Sequence, residues 1–176
     1  MNTKLFYALV WTFSGIVFQL ILFFSGLQTE NLATGQYVSY LGMLIAAVVL
    51  WLGIKAVRDE RPERTLGYGQ RVGAGVLISL YAGLMSAVYT WFHFKFINVN
   101  FADYMISITR AKWAARGMAP SQMDVAEKVT STMLTPEVQA VLTPIITVLL
   151  GLVLSLIIAA FLDSKATGAD APPTEP

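Results

Sequence analysis

Cysteine is absent from the 176 residues, which excludes disulfides, thiol nucleophiles and thiolate metal sites without identifying a compartment. Histidine occurs once, as His93. One imidazole cannot build a zinc or haem site, and nothing in the spacing of Asp103 and Glu127 compels them to join it. No metal and no cofactor is therefore expected. Charge is scarce as well: 13 % of residues are Asp, Glu, Lys or Arg, about half the share in an ordinary soluble chain. The net charge of +1, with no long basic run, gives nucleic acid no electrostatic footprint. No recognisable acid, base or nucleophile cluster stands out, so enzyme chemistry has no visible carrier.

What is present is apolar. The hydrophobic share is 56 % and the mean hydropathy is +0.61. Four apolar stretches run from about Leu5 to Leu27, Tyr37 to Ile54, Val72 to Phe92 and Val138 to Leu162. A helix of about 20 residues matches the thickness of the hydrocarbon core, so each can span it. The first is too long for a typical cleavable signal and lacks a small-residue cleavage site, which reads as a retained span. The expected fold is an all-α four-helix transmembrane bundle with amphipathic helices on its outer face. None of the four cores holds a central Asp, Glu, Lys or Arg, which argues against ion pumping and proton relay.

Charge sets the expected topology. The connection from Lys55 to Arg71 carries five basic residues, Lys55, Arg58, Arg61, Arg64 and Arg71, whereas Gln28 to Gln36 carries none. Short loops rich in Lys and Arg stay in the cytoplasm. Both termini then face the cytoplasm of a bacterial inner membrane, with Arg58, Arg61 and Arg64 meeting anionic headgroups. After Leu162 the pattern turns small, polar and proline-rich, so 166–176 is expected to be a disordered cytoplasmic tail.

The connection over 96–135 is the main elaboration. Phe101, Tyr104, Met105 and Ile108 recur at helical spacing, and Arg110, Lys112 and Arg116 add cations suited to lipid headgroups. Gly117 and Pro120 end that helix. Ser121 with Asp124 resembles a capping box for a second helix striped by Val125, Val129 and Met133. Thr135-Pro136-Glu137 is a helix start, with a hydroxyl cap, proline in the first helical position and an acid near the positive end.

Small residues repeat every fourth position on two spans: Gly75, Ser79, Gly83 and Ala87 on the third, Thr147, Gly151, Ser155 and Ala159 on the fourth. Such a face lets another backbone approach closely, either between these helices or across a homodimer. Pro144 predicts a kink near Thr143. Intramembrane polar groups are few. Gln19, Tyr81, Tyr89 and His93 are the candidate ligand contacts, although Gln19 is more simply an interhelical hydrogen-bonding residue and His93 an interfacial group in an aromatic belt.

The four-span layout, the Gly53–Arg58 turn, the glycine-rich entry to the third span and the Thr-Pro-led last span carry a family resemblance. The chain resembles the small bacterial membrane proteins grouped as domain of unknown function 4199, over approximately Asn2 to Lys165. The resemblance implies a four-helix inner-membrane protein and brings no catalytic residue with it. Two functional readings follow. One is a non-enzymatic scaffold or accessory subunit that contacts lipids and forms a homo-oligomer or binds another membrane protein. The alternative is a lipid-binding or small-molecule transport module.

Overall fold

The computed structural model describes residues 2–162; the expected tail at 166–176 lies outside them. The described residues form seven α-helices: α1 (Thr3–Phe24), α2 (Leu32–Val38), α3 (Leu41–Asp59), α4 (Tyr68–Phe92), α5 (Phe101–Ala115), α6 (Pro120–Met133) and α7 (Pro136–Phe161). A π-helical turn, His93–Ile97, extends α4. Among the described residues there is no sheet. Four segments are long and apolar enough to cross a membrane: Thr3–Phe24, Leu32–Asp59, Tyr68–Ile97 and Pro136–Phe161. The protein is a multi-pass membrane protein with an all-α fold.

Local chemistry sets the boundaries. Asn2 caps α1, its side chain accepting from the Lys4 amide at 3.0 Å. The second span is interrupted where Ser39 Oγ donates back to the Gly35 carbonyl at 2.8 Å, and α3 resumes at Leu41. Past Ile54, nothing breaks the helix until the turn containing Pro62, so Lys55 and Arg58 ride on α3 instead of in a loop. The third span starts at Tyr68, earlier than Val72, behind the N-cap Gly67.

Thr135 caps α7 as its sequence predicts, its hydroxyl accepting from the Val138 amide. The second hairpin helix starts differently. Pro120 opens α6 behind Ala119, whose amide donates to Gln122 Oε1 at 3.4 Å. Ser121 therefore sits inside the helix, and Asp124 bonds Arg110 instead of completing a cap. Proline's preset φ suits the first helical position and outweighs the serine signal. Although Pro144 lies inside α7, the helix runs unbroken through it.

The largest interface joins α4 to α7, followed by α1 with α4 and α1 with α3. A core of Ala8, Leu50, Ile54, Leu66, Ile78, Ala82, Ile158 and Leu162 gathers toward one end, called here the loop end. Thr12 Oγ1 lies 2.9 Å from the Ala8 carbonyl and 3.4 Å from that of Ala82, linking α1 to α4. Large apolar side chains such as Phe13, Val88 and Val141 stay exposed. Around a transmembrane bundle, lipid covers that surface and no hydrophobic penalty attaches to it.

Candidate functional site

Polar groups concentrate at the opposite, hairpin end. Gly26 adopts φ +76° after α1, a left-handed conformation that glycine reaches without a Cβ clash. The reversal turns Gln28 inward, its amide donating to the Leu22 carbonyl at 3.1 Å. On the other side, the π turn widens the end of α4. His93 becomes fully buried, and the Asn98 amide closes back on the His93 carbonyl at 2.8 Å. A π turn of this kind is uncommon and often accompanies function.

Four side chains meet there. Gln28 Oε1 is acceptor-only, so His93 Nε2–H donates to it at 3.0 Å. In that tautomer Nδ1 is the acceptor, and the Tyr89 hydroxyl donates to it at 3.1 Å. Asn98, only 3 % exposed, donates from Nδ2 to the Gln28 backbone carbonyl at 3.3 Å and to Oε1 at 3.4 Å. Phe23 and Phe94 set ring edges around the imidazole, with centroids 5.9 and 5.2 Å away. Both imidazole nitrogens have partners, and no carboxylate belongs to the cluster. The arrangement clamps the end of α1 to the end of α4.

Beyond the clamp, α5 and α6 form a helical hairpin in which neither helix has a fully buried residue. Arg110 holds it together, bonding Glu127 and, at 3.1 Å, Asp124. Those bonds, Glu127's first, raise the guanidinium above its ordinary pKa. Lys112 bonds Gln36 at 3.1 Å, while Arg116 is exposed. At the start of α7, Glu137 accepts from Trp91 and Lys95, both at 3.4 Å.

A family model described as Protein of unknown function (DUF4199) matches residues 7–164. The chain belongs to this family. No curated protein and no solved structure matches it.

In this DUF4199 chain the four candidate ligand contacts are not gathered into one site. Tyr89 and His93 are bonded partners, but Gln19 is half-buried on α1 without a hydrogen bond, and Tyr81 faces outward. His93 differs from the interfacial reading because the π turn rotates it inward. Gln28 and Asn98 escaped sequence reasoning: each is a polar residue beside an apolar run, where loops also begin. The headgroup candidates divide too. Arg58 is only 4 % exposed and bonds Asp59 at 2.8 Å, because α3 carries it into the bundle. Arg61 is exposed and bonds Gln70 at 3.3 Å. Arg64 is half-buried on a left-handed backbone with φ +47°.

The small residues face one another across α4 and α7. A Cβ on Gly75 would lie 2.0 Å from Ser155 Oγ, and one on Gly151 1.7 Å from Ser79 Oγ. A Cβ on Gly83 would meet Pro144 Cα at 2.9 Å and Thr147 Cβ at 3.2 Å. Ala159 is buried and Ala87 half-buried. Among the described residues, no group of three or more His, Cys, Asp or Glu could hold a metal ion.

Proposed function

We propose that the protein is a non-enzymatic scaffold or accessory subunit of a bacterial inner membrane, with its outer hairpin as the docking element for another membrane protein. The observation that carries this reading is the stripe of Val125, Val129 and Met133 along α6, 51–67 % exposed on a hairpin braced by Arg110. A rigid apolar stripe loses little entropy on binding a partner helix. Around it, Arg110 pairs with Asp124 and Glu127, which leaves little net charge beside the stripe to draw anionic headgroups, and a protein surface is the better match. Homo-oligomerisation through the small-residue faces is disfavoured, since α4 and α7 occupy those faces within one chain. The basic residues of Lys55–Arg71 support a cytoplasmic loop end and an outward-facing hairpin.

The test is gentle extraction of wild type and Val129→Asp from native membranes, followed by native electrophoresis and thermal unfolding. Wild type should migrate within a larger assembly of defined composition, and Val129→Asp should leave it with an unchanged Tm. Co-migration of both refutes docking through this stripe. So does quenching of a probe at position 129 by spin-labelled lipid, which would place the stripe in the membrane interface.

A second reading is small-molecule binding. A cavity of about 160 Å³ beneath the hairpin, lined by Phe94, Asn98, Phe101, Ser131, Leu134 and Thr135, supports it. Native mass spectrometry retaining one defined ligand, lost in Asn98→Leu, would favour that reading over docking.

A further inference from the structure

Among the described residues, the loop end carries a cation without a counter-ion. Arg71 lies in the first turns of α4 and is 8 % exposed, with a buried Nε that has no hydrogen-bond partner. Helical side chains lean toward the N-terminus, and its guanidinium carbon sits 6.0 Å from the ring centroid of Tyr68, the first residue of the helix. Buried charges in folded proteins are normally paired. Among the described residues no ion pair joins Arg71 to a carboxylate; at the end of α3, Asp59 bonds Arg58 and Glu60 accepts from Thr3. Arg64 Nη1 on the same connection is likewise buried without a partner.

The helix start points the same way. Gly67 precedes a 25-residue helix and offers no side-chain acceptor to its first-turn amides. Gln70 Oε1 accepts from the Gly67 amide at 3.2 Å and from Arg61 at 3.3 Å, and makes no bond to those amides. Exposed amides and the positive end of the helix dipole attract an anion, and a planar guanidinium complements phosphate oxygens. Tyr68 opens a segment long and apolar enough to cross a membrane, so a phospholipid phosphate is one available source of such an anion.

We propose that Arg71 and the N-terminus of α4 form a phosphate-binding site whose ligand is an anion bearing a phosphate group. A phospholipid headgroup and free phosphate share that chemistry.

The test uses the full chain in mild detergent. Dissociation constants are measured for short-chain phosphatidylglycerol, for phosphatidylcholine as the acyl-chain control, and for inorganic phosphate. Wild type should bind at least one anionic probe, with phosphatidylglycerol preferred to phosphatidylcholine if the source is lipid. Arg71→Gln should weaken that binding at least about tenfold, while Lys128→Gln, at an exposed position on the hairpin, leaves it unchanged. Should Arg71→Gln fail to fold, Gly67→Asp tests the same site. Gly67 has an ordinary backbone conformation, and a Cβ there meets only Gln70 Oε1, at 3.8 Å. The new carboxylate would occupy the amides and repel phosphate, again weakening binding at least about tenfold. Inorganic phosphate competing away the lipid marks one shared site. Wild type that neither prefers phosphatidylglycerol nor binds phosphate overturns the proposal, as does undiminished binding by both variants.

Discussion

Replacing Gly151 by Ala tests the α4–α7 interface with one carbon. The new Cβ would lie 1.7 Å from Ser79 Oγ and 2.4 Å from Ser79 Cβ. Rotating the Ser79 hydroxyl relieves the first clash, but the second is anchored to the backbone. Restoring ordinary carbon–carbon contact needs a displacement of about 1 Å between the helices. Ser79 is fully buried and its hydroxyl bonds the Gly75 carbonyl at 2.8 Å, so the side chain has little room to yield. Overpacking of this kind costs about 1–3 kcal/mol, and a Tm fall of roughly 3–10 °C is expected by the scaling for chains of this size. The assay is unfolding in mild detergent followed by circular dichroism. Gly73→Ala serves as the control, since nothing lies within 4 Å of its added Cβ, and it should leave Tm unchanged or slightly raised. Adding Ser79→Gly to Gly151→Ala moves the small residue to the opposite helix and should recover much of the loss, with a coupling of about 1 kcal/mol or more. A Gly151→Ala protein melting within about 1 °C of wild type would show that the helices do not meet at this distance.

His93→Ala leaves the Tyr89 hydroxyl without its acceptor and Gln28 Oε1 with only the longer bond from Asn98, so a loss of about 1–3 kcal/mol should register as a lower Tm and faster amide exchange near Gln28. Gly26→Ala forces a Cβ into the left-handed region at φ +76°, at a cost of about 1–2 kcal/mol measurable by the same melts. Arg110→Gln removes exposed hairpin bonds and should leave the global Tm nearly unchanged, while proteolysis between α5 and α6 accelerates; unchanged cleavage would mean that other contacts brace the hairpin. Because the chain lacks cysteine, single cysteines at Glu30 and Glu63 report topology cleanly, and an impermeant thiol reagent should reach them from opposite faces of sealed vesicles.

Sequence by itself determined the class of the protein and most element positions. Length and apolarity of a span are local properties, and Gly117, Pro120 and Pro136 mark helix ends through backbone chemistry that needs no distant partner. Thr135 as a cap was legible for the same reason. The break between α2 and α3 and the Ala119 start of α6 were not, because competing local signals there differ by only tenths of a kcal/mol. Tertiary structure alone decided the polar clamp, in which His93 and Asn98 meet Gln28 across 65 and 70 residues. It also turned Arg58 and Arg71 inward and set Gly75 and Gly151 against serines of the opposite helix. Such pairings depend on the rotation of one helix about its axis relative to another. Packing of the whole bundle sets that angle, and helical periodicity alone leaves it open.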